Sequence, residues 1–153
     1  YRTTSEEKRA AERGNETLYN EVRQCAEVHR QVTCPGFIVL QVRKDFRKWV
    51  KPGMAMIDIA QYITIATRSQ LHRRCVRWRV RCYVGLSLNH VAAHYSPNYG
   101  DKIVLGKSDV MKVDFGTQIN GHIIDCAFTM SFDPRYDELL KAVKDATNTG
   151  IRV

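Results

Sequence analysis

The sequence predicts an α+β domain, with α/β as the alternative class, and three observations lead to it. Apolar residues recur at helical intervals through much of the first 71 residues. Two strand-like runs then flank the Asn-Gly pair at 120 and 121, which is the strongest short-range signal of a two-residue hairpin. A capped amphipathic segment follows Asp133. With 153 residues, 44% hydrophobic and 26% charged, the chain has the size and composition of one globular domain.

The first 50 residues are predicted to be helical with a break. The helical period extends over about 5–32, with Gly14 as a point of interruption. Pro35 and Gly36 end that pattern before the helix-like "VRKDFRKWV". Residues 33–41 therefore resemble an irregular insert between two helical pieces.

A turn, a helix and a strand are predicted before the hairpin. "KPGM" at 51–54 indicates a turn, because its proline presets one dihedral angle and its glycine permits a positive φ. The residues up to Leu71 fit an amphipathic helix, although their Ile and Thr content also allows a strand. From Val76 to Val84, apolar residues alternate with arginines and Tyr83, which is the period of a half-buried strand.

The last predicted element is a helix. Asp133 can cap it and Pro134 suits its first turn. Gly150 is the expected terminator. The apolar stripe of this helix consists of Leu139, Leu140, Val143 and Ala146.

The hairpin places two acids on one face. With the Asn-Gly pair at the centre of the turn, Asp114 lies opposite Ala127 and Asp125 lies opposite Gly116. The two carboxylates are then diagonal neighbours, with backbones about 7–8 Å apart. The opposite face is coherently apolar, holding Met111, Val113, Phe115, Thr117, Ile124, Cys126, Phe128 and Met130.

Two interpretations of this acidic pair are open. The carboxylates can bracket one divalent ion, or two ions about 3.5–4 Å apart of the kind that activate water, with room left by the small Gly116 and Ala127. Alternatively, they belong to a solvated polar face without a ligand. Two acids on a strand are a weak metal signal, so the pattern alone favours the solvated face.

His90 and His94, in "LNHVAAHYSPNYGD", are the nearest histidines before the hairpin. Their four-residue spacing can bind zinc on a helix, but the metalloprotease motif needs a glutamate that is missing between them. One of them can approach a substrate while the other packs in the core, and a merely structural role for both is the alternative.

Charge and cysteine content limit the partners. Five of the positive charges behind the net charge of +8 come from arginines in "RRCVRWRVR". The excess is therefore a local patch, and a nucleic-acid partner is not expected. The odd cysteine count without a CxxC pair suggests reduced thiols in a cytosolic setting. We find no signal peptide and no apolar run long enough for a membrane, which predicts a cytoplasmic protein without a membrane partner.

Several stretches together resemble the type 2 methionine aminopeptidases, of the M24-like pita-bread metallopeptidase family. The resemblance is moderate over 1–32 and 43–71 and close over 86–153. It implies an incomplete pita-bread (creatinase/aminopeptidase) fold, in a single truncated domain that corresponds to the N-terminal portion of the family. The matching segments are "TSEEKRA", "AEVHRQV", "WVKPGM", "LNHVAAHYSPNYGD", "MKVDFGTQINGHIIDCAF" and "YDELLKAVKDATNTGI".

The resemblance implies removal of the initiator methionine from nascent proteins by two divalent metal ions (Co, Mn, Zn or Fe) that share a water. Asp114 would chelate one ion, Asp125 would bridge both, and His94 matches the family's substrate-contacting histidine. The family's other three ligands, one histidine and two glutamates, lie beyond the point matching Val153. We therefore expect the 153-residue chain alone to be inactive.

The implied partners are a nascent peptide with N-terminal methionine and the ribosome or a translation initiation factor, with which family members are reported to associate. Two alternatives are a non-catalytic interaction module of translation and an RNA-binding role for the arginine-rich segment. Irregular inserts at about 33–41 and 72–85 depart from the family pattern, and the second stands where the family forms the wall of the methionine pocket.

Overall fold

Helices precede and follow an antiparallel sheet along the chain. The structure, a computed structural model, describes residues 5–33, 39–74 and 81–152. This arrangement confirms the α+β class. The elements are α1 (Ser5–Gly14), α2 (Glu16–Thr33), α3 (Val39–Trp49), α4 (Met56–Arg74), β1 (Arg81–Leu88), β2 (Val110–Ile119), β3 (His122–Ser131), one 3-10 turn (Pro134–Tyr136) and α5 (Asp137–Arg152).

The β2–β3 hairpin has the predicted register. Asp114 lies opposite Ala127 and Gly116 lies opposite Asp125. Asn120 and Gly121 both have positive φ, at 49° and 89°, as a two-residue type I′ turn requires. Strand β1 pairs antiparallel with β2, so that the sheet order is β1-β2-β3.

The core lies between the helices and the apolar face of the sheet. Helix α2 packs on β2 and β3, and α4 packs on β1. Each large apolar side chain buried there stabilises the fold by about 1.5–3 kcal/mol. The largest fully buried side chains include Phe46, Met56, Ile59, Ile63, Leu86, Leu105, Met111, Phe115 and Ile119.

The turn end of the hairpin is tied to α2 by polar contacts. Glu21 accepts a hydrogen bond of 3.3 Å from the Asn120 side chain and lies 2.9 Å from His122 Nε2. The Cys25 thiol is buried and donates to the carbonyl oxygens of Thr117, at 3.5 Å, and His122, at 3.2 Å. These contacts join elements about a hundred residues apart in the chain and hold the hairpin turn against the helix.

The helix predictions are confirmed in type, but both ends of the last helix differ from the prediction. Asp133 caps the 3-10 turn Pro134–Tyr136, so α5 begins only at Asp137. Helices α1 and α2 are separated at Asn15, beside Gly14, and the segment after "KPGM" is helix rather than strand. Gly150 does not end the last helix, since α5 continues to Arg152 and Gly150 is not among the glycines with positive φ. Glycine costs a helix interior only about 1 kcal/mol relative to alanine, so without a left-handed conformation it does not terminate a helix.

The two stretches predicted as irregular inserts lie partly outside the described residues. In the described parts, Thr33 closes α2, residues 39–41 open α3, residues 72–74 belong to α4 and residues 81–85 belong to β1. Residues 76–80 of the predicted strand also lie outside them. No helix within the described ranges is long and apolar enough to cross a membrane.

His29 is a buried histidine on α2. Its side chain is 6% exposed, and neither ring nitrogen has a hydrogen-bond partner in the described part of the chain. Burial lowers the pKa of His29, although the charge of Asp125 acts in the opposite direction. The ring is therefore held neutral, because protonation would place a charge in an apolar environment.

This burial predicts a pH-dependent stability. In the unfolded chain His29 takes up a proton near the ordinary histidine pKa of 6.5, whereas in the folded chain its pKa is lower. The folded state is therefore most stable above pH 6.5, and its stability falls as the pH decreases below that value. We expect His29→Leu to reduce the loss of melting temperature between about pH 7.5 and pH 5. Thermal unfolding followed by circular dichroism measures the melting temperature at each pH. His90→Leu, at an exposed histidine, is the control. Equal losses in the two variants would contradict the prediction.

Candidate metal centre

Two carboxylates converge on the face of the sheet opposite the helices. Asp114 projects from β2 and Asp125 from β3, and the hydroxyl of Tyr83 on β1 contacts both. It donates a hydrogen bond to Asp125 Oδ2 and lies 3.4 Å from Asp114 Oδ1. The predicted common face of the two acids is confirmed, because one phenol oxygen cannot reach side chains on opposite faces of a sheet.

Glycines keep this face open. Gly85 lies opposite Asp114, and Gly116 lies opposite both Tyr83 and Asp125. A methyl group on Gly116 would lie 2.7 Å from Cε1 of Tyr83, 2.8 Å from Cβ of Asp125 and 2.8 Å from the Ile124 carbonyl oxygen. The close approach of the three side chains therefore requires a residue without Cβ at position 116.

Ionisation of Asp114 is disfavoured by its surroundings. Burial raises the pKa of Asp114 and the charge of Asp125 raises it further, while the hydrogen bond from Tyr83 and the charge of His94 act in the opposite direction. Burial, the hydrogen bond to Asp125 and both carboxylate charges raise the pKa of the Tyr83 phenol. A positive charge between the two carboxylates would relieve their repulsion.

His94 approaches Asp114 from the loop that follows β1. The loop is attached to β1 by hydrogen bonds of 2.6 Å from Leu86 N to the Tyr95 carbonyl and from Ser96 Oγ to the Val84 carbonyl. His94 has a φ of 67°, which is uncommon for a residue other than glycine. It is exposed, and its charge is close enough to lower the pKa of Asp114.

His90 does not join this site. It lies in the turn after β1 and is exposed, so the expectation that one of the two histidines packs in the core is wrong. The helical zinc spacing also does not apply, because neither histidine lies on a helix. Both side chains are exposed in the long connection, residues 89–109, between β1 and β2.

Residues 30–153 match the sequence model of Metallopeptidase family M24. The chain belongs to this family. The match confirms the pita-bread expectation, and the helices with the three-stranded antiparallel sheet represent part of that fold.

Similar proteins support the M24 assignment. The chain is 55% identical over 152 residues to Methionine aminopeptidase 2 of Komagataella phaffii. It is 50% identical over 151 residues to Methionine aminopeptidase 2 of Dictyostelium discoideum and 49% identical over 152 residues to Methionine aminopeptidase 2A of Arabidopsis thaliana. Each match covers 99% of this chain and 32% of the relative, so the chain spans about a third of their length.

A solved structure agrees in fold. The structure of a thermophilic Arx1 aligns with a TM-score of 0.54 at 16% sequence identity, covering 78% of this chain and 32% of that one. At this identity the likeness concerns the fold alone. It is consistent with the M24 assignment made from the sequence.

The donor chemistry of the M24 hairpin fits a divalent metal, but the set is small. Carboxylate oxygens are hard donors that divalent ions accept. Open catalytic sites normally have three protein ligands, and within the described ranges no group of three or more His, Cys, Asp and Glu side chains could hold an ion. The described part of the M24 chain therefore offers two converging carboxylates, fewer protein ligands than such a site normally has.

Sequence reasoning missed the contact of Tyr83 with the acids. The alternation around Val84 placed Tyr83 on the polar face of a strand, which is correct. Its position opposite Gly116 depends on the register between β1 and β2, which are joined by residues 89–109 rather than by a tight turn. No local signal specifies that register.

Gly116→Ala is expected to destabilise the fold by about 1–3 kcal/mol, because the added methyl group would overlap a backbone oxygen and two side chains. Urea unfolding measures the change. Gly150→Ala is the matched control: it lies within α5 with nothing within 4 Å of an added methyl group, so it should stabilise by about 0.5–1 kcal/mol. A Gly116→Ala protein as stable as the parent would refute the close packing of Tyr83 and Asp125 against Gly116.

Proposed function

We propose that this chain forms part of a methionine aminopeptidase, in which Asp114 and Asp125 bind divalent metal ions and His94 contacts the substrate. The observation that carries the proposal is the convergence of both carboxylates on the Tyr83 hydroxyl, on an open sheet face of an M24 domain. The similarity to methionine aminopeptidases supports an N-terminal methionine as the substrate.

The residues have distinct roles in this proposal. Asp114 and Asp125 would hold the divalent ions, and the ions would supply an activated water for amide hydrolysis. His94, held beside Asp114 by the loop attached to β1, orients the N-terminal end of the peptide. Gly116, which has no side chain, leaves the room that the Tyr83 ring and the Asp125 side chain occupy.

The setting of the reaction follows from the same resemblance. We place it in the cytoplasm, on nascent peptides, with the ribosome or a translation initiation factor as docking partner. The arginine-rich stretch 73–81 lies largely outside the described residues, so the RNA-binding alternative depends on the sequence alone. The alternative of a non-catalytic module predicts that methionine release never depends on the two acids.

Metal binding tests the carboxylate pair. We expect the 153-residue protein to bind Mn²⁺, and Asp114→Asn and Asp125→Asn each to weaken binding at least about tenfold, since even outer-shell substitutions commonly cost 10–100-fold. Electron paramagnetic resonance of free Mn²⁺ measures the affinity. Asp145→Asn, an exposed carboxylate on α5, is the control. Binding that is unchanged in both site variants would exclude this pair as ligands.

Activity tests the reaction. We expect no methionine release from a Met-Ala-Ser peptide by the metal-loaded 153-residue protein, because two carboxylates do not complete a catalytic site. A chimera with residues 1–153 in place of the matching segment of the Komagataella phaffii relative should release methionine, and Asp125→Asn should abolish the release. A chimera that binds Mn²⁺ through both carboxylates yet releases no methionine would contradict the proposed reaction.

A further inference from the structure

Tyr83 lies across the sheet in the same row as one of the proposed metal ligands. Tyr83 of β1, Gly116 of β2 and Asp125 of β3 are direct neighbours in consecutive strands. Adjacent strands are about 4.8 Å apart, so the Tyr83 ring must pass over the middle strand to reach the third. Gly116 permits this passage, since a methyl group there would lie 2.7 Å from Cε1 of the ring.

The phenol oxygen occupies the place on which the two carboxylates converge. It donates to Asp125 Oδ2 and lies 3.4 Å from Asp114 Oδ1. A cation that joins Asp114 to Asp125 needs oxygen lone pairs directed to the same point. The hydroxyl and the cation therefore compete for one position.

Tyr83 also has room to leave. Its side chain is 37% exposed, so the ring borders solvent on the open side of the sheet. Rotation about its side-chain bonds would expose the carboxylates without any change in strand pairing. A neutral phenol offsets the repulsion between two carboxylates less well than a divalent ion does, so a cation at sufficient concentration would displace it.

We propose that Tyr83 is a cap on the Asp114–Asp125 pair, which closes the site in the metal-free protein and lowers its affinity for divalent cations. The inference depends on the proposed metal-binding role of the two acids. Tyr83 controls when the two acids are accessible to a cation. The hydroxyl competes with the cation rather than coordinating it.

Mn²⁺ titration followed by electron paramagnetic resonance tests the cap. Tyr83→Phe removes only the competing hydroxyl, and we expect it to bind Mn²⁺ several-fold more tightly than the parent protein. Tyr83→Ala should bind at least about tenfold more tightly. The reason is that the lost hydrogen bond is to a charged group, and such bonds are among the stronger ones. Tyr99→Phe is the control, since Tyr99 is fully exposed and should leave the affinity unchanged. Equal or weaker binding by Tyr83→Phe would overturn the cap and, if weaker, identify Tyr83 as a ligand.

Two further variants separate failure of the cap from failure of the metal site. Asp125→Asn is introduced into the parent protein and into the Tyr83→Ala variant. If Asp125→Asn weakens binding in both backgrounds while the Tyr83 variants bind no more tightly than the parent, the cap is wrong and the metal site stands. If Asp125→Asn has no effect in either background, the metal site fails and the cap with it. Circular dichroism checks that each variant is folded, and Tyr83→Phe decides the outcome if Tyr83→Ala is unfolded.

Discussion

The register of the β2–β3 hairpin is the constraint from which the other features follow. Asn120 and Gly121 can both adopt the positive φ of a type I′ turn, and this turn sets the partner of every residue in the two strands. A shift of one residue between the two strands would place Asp114 and Asp125 on opposite faces of the sheet and turn the apolar residues of one strand to solvent. Correct pairing therefore forms the core and the acidic face in the same step.

Helix packing on one face makes the other face available for chemistry. Phe128, on the covered side of β3, contacts Phe46 edge to face and has the guanidinium carbons of Arg43 and Arg47 at 4.5 and 4.6 Å from its ring centroid. Trp49 stacks on Tyr62 with 4.0 Å between ring centroids. The helices and the hairpin turn are packed against this side of the sheet, and the two carboxylates project from the other side.

The face of the sheet that carries Asp114 and Asp125 is electrostatically unfavourable for negative charge. Two carboxylates and a phenol converge there, and the resulting pKa shifts of Asp114 and Tyr83 both disfavour the negatively charged forms. Groups perturbed in this way are characteristic of functional sites. In contrast, among the described elements α5 packs mainly against the 3-10 turn and β3, and it leaves Leu139 and Val143 more than half exposed. Of the apolar stripe that the sequence predicted for this helix, Leu140 is partly buried, whereas Leu139, Val143 and Ala146 are exposed.

The sequence by itself determined the elements whose signals are local. Helical periodicity, the turn at Pro52 and Gly53 and the Asn-Gly hairpin each involve residues close in the chain, and alternation within the hairpin was enough to put Asp114 and Asp125 on one face. Even there, the end of α5 required the structure, because a glycine can be helical or left-handed.

Only the tertiary structure decided what surrounds the acids. The approach of Tyr83 depends on the pairing of β1 with β2, and the approach of His94 depends on how the following loop is attached to β1. The burial of His29 depends on the side of α2 that meets the sheet. These placements come from packing and hydrogen bonds between distant segments, and their geometry is set by the whole core rather than by any short run of residues.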